Sequence, residues 1–137
     1  MYCFDTDILS ATMRREPSLP LIRRLAQVPP PEQFTTTITL GELLYGVARR
    51  DSERLGKRVR ELVHGALTVL PFDEPAACVY GPLRAQLEAE GEPLDEPDLR
   101  IASIALSCEM TLVTGNTRHF ARVPGLDVEN WLAESKS

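Results

Sequence analysis

Lysine is nearly missing from this chain of 137 residues: Lys57 and Lys136 are the only two, so arginine supplies almost all of the fifteen basic side chains. Acids outnumber bases, twenty to fifteen, for a formal net charge of −5. That balance excludes a protein that grips nucleic acid by bulk positive charge alone, but not one that reaches phosphates through a metal. Cysteine is scarce as well. Cys3, Cys78 and Cys108 are an odd number, widely spaced, with no C-x-x-C among them. A zinc ribbon or a disulfide framework is thereby excluded, and buried reduced thiols in a cytoplasmic protein are expected. No apolar run approaches the ~20 residues of a membrane span. The longest, from Ile101 to Leu106, is already broken by Ser103. Met1-Tyr-Cys-Phe-Asp5 shows no basic stretch ahead of an apolar one, so no signal peptide is expected. Repeats and low-complexity segments are absent too.

What remains is an ordinary globular composition, 43% hydrophobic and 26% charged, with 8 Gly and 11 Pro. The length favours one domain over residues 1–137, able to bury roughly two-thirds of its unfolded surface. Short apolar runs alternate with helical stretches, the pattern of an α/β domain with a parallel sheet. Strands are expected at Tyr2 to Asp5, Phe34 to Thr37, Thr68 to Leu70, Thr111 to Thr114 and Asp127-Val128. Between them a short helix from Asp7 to Met13 precedes one capped by Ser18 and ended by Pro29-Pro30-Pro31. Thr39-Leu-Gly-Glu42 has capping-box spacing and opens a third helix. Further helices run from Ser52 to His64, from Asp73 to Glu90, and from Asp95 onward with Pro97 in the first turn. The segment Glu129-Asn-Trp131-Leu reads as a turn or short helix.

The placement of the acids matters more than any single motif. Ligands of open parallel sheets sit outside the carboxyl ends of the strands. Asp5 ends the first strand, Glu42 is expected in the first turn of the helix after the second, Asn116 lies just past the fourth, and Asp98 lies in the first turn of the helix feeding that strand. Each has a plain structural reading: Glu42 closes a capping box, Asp7 caps the first helix, Asp98 complements a helix dipole. Together they suggest something else. Crowded carboxylates raise one another's pKa and cost stability unless a cation intervenes, and an oxygen-only cluster suits Mg²⁺ or Mn²⁺. His64 and His119 are far apart and lack companion ligands, so zinc is not indicated. A divalent ion at such a rim favours phosphodiester hydrolysis.

These residues resemble the PIN-domain nucleases, in particular the VapC toxins of bacterial VapBC toxin–antitoxin modules. The likeness spans nearly the whole chain. It is carried by Phe4-Asp5-Thr6-Asp7, Thr37-Ile-Thr-Leu-Gly-Glu42-Leu-Leu-Tyr-Gly46, Leu70-Pro-Phe-Asp73, Gly91-Glu-Pro-Leu ahead of Asp98-Leu-Arg-Ile-Ala102, Thr111-Leu-Val-Thr-Gly-Asn116-Thr-Arg-His-Phe120, and Val123-Pro-Gly-Leu126 with Glu129-Asn-Trp131. The resemblance implies a three-layer α/β/α fold with a central parallel sheet. It also implies Mg²⁺- or Mn²⁺-dependent cleavage of tRNA or other structured RNA. By position, Asp5 and Asp98 match the family's principal metal ligands and Glu42 its third acid. The fourth acid falls at Asn116 or three residues later, where this chain has Asn116 and His119; the fourth carboxylate is missing, with Asp7 as a candidate to compensate. A VapB-type antitoxin, a homodimer, and DNA contact only through the antitoxin are further implications.

Other features carry two readings each. Thr6 and Thr114 either orient the neighbouring acids or satisfy strand ends. The arginine run, Arg49, Arg50, Arg54, Arg58 and Arg60 with Lys57, is a solvated helix face or an RNA surface. Leu43, Leu44, Tyr45 and Val47 line a groove for an antitoxin helix or belong to the core; Tyr45, Tyr80 and Trp131 are most simply core. Asp5-Thr-Asp7 also looks like the nucleophile motif of haloacid-dehalogenase-type phosphatases, and early acids occur in response-regulator receivers. Both of those use a strand-end lysine that this chain lacks. The remaining alternative is a catalytically impaired PIN-like module that binds RNA or a partner without cutting.

Overall fold

A computed structural model describes residues 1–65 and 67–132. From the N-terminus, β1 (Tyr2–Phe4) leads into α1 (Thr6–Thr12) and α2 (Leu19–Ala26), then β2 (Gln33–Thr36), α3 (Thr37–Arg50) and α4 (Glu53–Val63). β3 (Thr68–Leu70), α5 (Glu74–Ala89), α6 (Glu96–Ser107), β4 (Thr111–Val113), α7 (Thr117–Phe120) and β5 (Val128–Glu129) follow. The strands form one sheet in the order β3-β2-β1-β4-β5, each pair parallel. Parallel neighbours require crossover connections, and the helices supply them on both faces.

The pleat decides which side chain meets which layer. Cys3 of β1 and Leu112 of β4 face a core built with Leu83 and Leu87 of α5 and Leu99, Ala102 and Ala105 of α6. Phe4 and Val113 point the other way, onto Ile8 and Leu9 of α1, Leu21 of α2, Leu43 of α3 and Val59 of α4. The result is the expected α/β/α sandwich, with β1 central and both its inner residues fully buried. Among the described residues no helix is long and apolar enough to cross a membrane.

Several local expectations shift. Ser52 and Asp73 do cap their helices, accepting from the backbone N–H of Leu55 and Ala76. Ser18 makes no side-chain cap bond. Thr39 is not a cap either: β2 passes into α3 without a loop, so Thr36, the last extended residue, accepts from the Thr39 N–H at 3.0 Å. The capping box is therefore absent, and Glu42 lies in the second turn, free of that duty. Of the three cysteines Cys3 is buried, Cys108 is partly buried and Cys78 is exposed. Tyr45 is not core but 66% exposed. Trp131 is core, its ring edge-on to Tyr2 and Phe4, and it follows β5 in a bend.

Candidate active site

The chain turns from β1 into α1 at Asp5, which is extended and serves as the N-cap of α1. Its Oδ1 accepts from the Thr6 N–H at 2.7 Å. Its Oδ2 accepts from the Thr114 hydroxyl at 2.8 Å, one residue past the neighbouring strand β4. Both oxygens of a side chain only 7% exposed are thus fixed from two directions. The cap of α1 is Asp5 and not Asp7, the residue to which the plain structural reading gave that duty. Asp7 instead reaches across to β4, its Oδ2 accepting from the Gly115 N–H at 2.8 Å. A Cβ on residue 115 would stand 2.6 Å from that oxygen and 2.9 Å from Leu132 Cδ1, so only glycine lets the two segments approach. Asp7 Oδ1 is buried and has no hydrogen-bond partner among the described residues.

Asp98 stands in the first turn of α6. His119 Nδ1 lies 3.6 Å from its Oδ2, an ion-pair distance too long for a hydrogen bond. Glu42 is exposed, and its Oε1 accepts from the Thr6 hydroxyl at 2.7 Å. Thr6, Thr39 and Thr36 hydroxyls continue at 3.4 Å steps from there to the end of β2. Thr36 and Thr39 are positioning groups that the sequence reading assigned no such part; the Thr35-Thr-Thr-Ile-Thr39 run was their only signal. Asn116 comes to the same rim through its backbone, its N–H donating to Thr114 Oγ1 at 3.0 Å, while its side chain makes no cap bond.

The electrostatics record the crowding. Burial pushes Asp5 up to about 6; the Thr114 and Thr6 bonds pull it down, and the charges of Asp7 and Asp98 push it up. Burial also raises Asp7, against the bonds from Gly115. Asp98 is raised by burial first, lowered by His119, and raised by the charges of Glu42 and Asp95. An all-oxygen donor set, like charges in partial burial and one orphaned carboxylate oxygen fit a hard divalent cation. Among the described residues no three His, Cys, Asp or Glu side chains already close into a ligand cage.

The acids lie at the carboxyl edge of a layered parallel sheet, the edge at which α/β folds of this class bind their ligands. The PIN domain profile matches residues 2–126, and the chain belongs to the PIN-domain family, among its VapC ribonucleases. It is 32% identical to the tRNA(fMet)-specific endonuclease VapC of Shigella flexneri, over 95% of this chain and 97% of that protein. With ribonuclease VapC2 of Rickettsia felis it shares 30% identity, over 96% and 98%. Solved structures agree. VapBC2 of Rickettsia felis bound to a promoter DNA fragment superposes with a TM-score of 0.82 at 30% identity, covering 95% of this chain and 98% of that one. FitAB bound to an IR36 DNA fragment superposes at 0.86 with 25% identity, covering 99% of both.

Proposed function

We propose that this chain is a metal-dependent endoribonuclease toxin of the cytoplasm that hydrolyses phosphodiester bonds in tRNA or other structured RNA, and that a VapB-type antitoxin neutralises it. The observation that carries the reading is Asp5: a nearly buried carboxylate gripped at both oxygens, with the charges of Asp7 and Asp98 pressing on it. Asp5 and Asp98 are the residues that would hold Mg²⁺ or Mn²⁺, with Asp7 Oδ1 the third oxygen in need of a partner. Such an ion, when bound, acidifies a water and neutralises a phosphoryl oxygen. The protein's own groups do the rest. Thr6 and Thr114 hold Asp5 still, so it need not reorganise during the reaction. Glu42, oriented by the same Thr6 hydroxyl, takes the proton of the water that attacks phosphorus as the P–O bond to the leaving oxygen breaks. The Asn116 backbone fixes Thr114, and through it Asp5. The Rickettsia felis relative solved as a VapBC complex on promoter DNA supports an antitoxin partner, with DNA reached through it, and a homodimer completes the assembly we propose.

A second reading rests on one departure. Asn116 and His119 stand where a fourth acid is expected, which favours an impaired module that binds RNA or a partner without cutting. Incubating total tRNA with Mn²⁺ and either the intact chain or Asp98→Asn separates the two. The intact chain is expected to give discrete fragments and Asp98→Asn none. Equal fragments from both would assign the cutting to a contaminant, and binding without fragments from the intact chain would favour the impaired module.

A further inference from the structure

Beside the carboxylates, a cleft of about 270 Å³ opens between α1, α3 and α4. Thr6 and Glu42 form the end nearest the acids, Met13, Leu43 and Val47 contribute an apolar floor, and Arg14, Arg50 and Arg54 stand around it. All three arginines are exposed. Arg54 donates to the Met13 carbonyl at 3.3 Å, and among the described residues none of the three has a carboxylate partner. On a chain of net charge −5, three guanidinium groups without a carboxylate partner among the described residues thus surround an apolar floor. A glycine in the middle of a helix is costly for that helix. Yet Gly46 sits there in α3, lines the cleft, and a Cβ built on it meets nothing within 4 Å. The missing side chain leaves the cleft open.

We propose that this cleft binds one nucleotide of the RNA next to the phosphate being cut, its base on the apolar floor and its flanking phosphates on Arg14 and Arg50. The inference rests on the ribonuclease reading above and extends it to the residues that hold substrate. Its logic is charge complementarity. The carboxylate rim repels phosphate, so an RNA strand must be held by cations close by. The arginines are the cations that border the cleft. An unstacked base needs an apolar surface of about one ring's size, and side chains that stack or cover it contribute to binding with little regard to base identity. Arg54 has a structural bond to α1's end and is the least free of the three. An acidic peptide is the other occupant with matching charge, and the test separates it.

The experiment uses the full chain carrying Asp98→Asn, with chelator present, so that binding is read without cleavage. A short labelled single-stranded RNA is titrated by fluorescence anisotropy across a range of salt. Gly46→Leu places a side chain in the cleft while improving helix propensity. It is expected to weaken RNA binding about tenfold with an unfolding midpoint equal to or above the parent's. Arg14→Ala and Arg50→Ala are each expected to reduce the slope of log affinity against log salt by about 0.7. Unchanged affinity in Gly46→Leu, or unchanged slopes in both arginine variants, overturns the proposal. So does a result in which these variants bind RNA normally and lose only an acidic peptide. Cleavage of tRNA by the parent chain is scored separately, so failure of the activity and failure of the cleft are distinct results.

Discussion

Asp5 has two hydrogen bonds that favour its ionised form, yet burial and its acidic neighbours still raise it to about 6. In the unfolded chain that side chain titrates near the ordinary aspartate value, about 4. Between these values the folded protein binds more protons than the unfolded one, so stability falls as pH rises. The contribution of protonated Asp5 is complete below about pH 4 and is lost as pH passes through about 6. Its size is on the order of 3 kcal/mol. Asp7 and Asp98 are raised too and act in the same direction. In chelator, therefore, Asp98→Asn is expected to be neutral or stabilising at pH 7 and to flatten the decline in urea midpoint between pH 4 and pH 7. A loss of several degrees in melting temperature for that variant at pH 7 would contradict the crowding. Thr114→Val tests the opposite contribution. It removes a fully buried hydroxyl that donates to Asp5, leaving the carboxylate half-satisfied. The expected cost is about 1–3 kcal/mol at pH 7 and less at pH 4, where Asp5 is protonated; equal losses at both would mean that the hydroxyl acts through the Asn116 N–H it accepts from and through packing, not through the Asp5 charge.

At the scale of elements, what was legible followed periodicity and punctuation. Pro29-Pro30-Pro31 closed α2, Asp73 and Ser52 capped their helices, and Gly115 broke β4, because these residues act through backbone geometry that needs no distant partner. The convergence of β1, α3, α6 and the β4 end on one edge was legible as well, since parallel order alone places strand ends together. Two things were not. The four-residue α7 is too short to show a period. The start of α3 was misplaced because two threonines three apart, Thr36 and Thr39, offer the same cap chemistry, and only the register of β2 against β1 and β3 selects the first. Arg50 and Arg54 were legible as one reading of the arginine run, but Arg14 was not: it follows α1 in a segment without periodicity and meets them only in space. The choice of Thr36 has a measurable consequence. Thr36→Val leaves the Thr39 N–H without its acceptor in a buried place and is expected to cost about 1–2 kcal/mol in chemical denaturation. Thr36→Ser keeps the oxygen and is expected to restore most of the loss. A serine variant no better than valine would show that the methyl group, not the cap, matters there.

For the whole molecule, the acids concentrated at one edge make folding and ion binding a single linked equilibrium. A cation that binds only the folded chain stabilises it by about 2.7 kcal/mol when present at a hundred times its dissociation constant. In a domain of this length each kcal/mol moves the melting temperature by roughly 2–8 °C. Protons compete for the same oxygens, because Asp5, Asp7 and Asp98 all hold their protons to a higher pH than an exposed aspartate does. Mn²⁺ is therefore expected to raise the melting temperature by several degrees at pH 7 and by little at pH 4, a contrast that Asp5→Asn and Asp98→Asn should each remove. The control is internal. Elsewhere acids are partly neutralised, Glu96 by Arg84 and Arg100, Glu129 by Arg24, and ions attracted by net charge alone would shift parent and variants alike. A shift of equal size in parent and both asparagine variants would place the cation away from the β1–β4 edge and remove the physical basis for assigning it to catalysis.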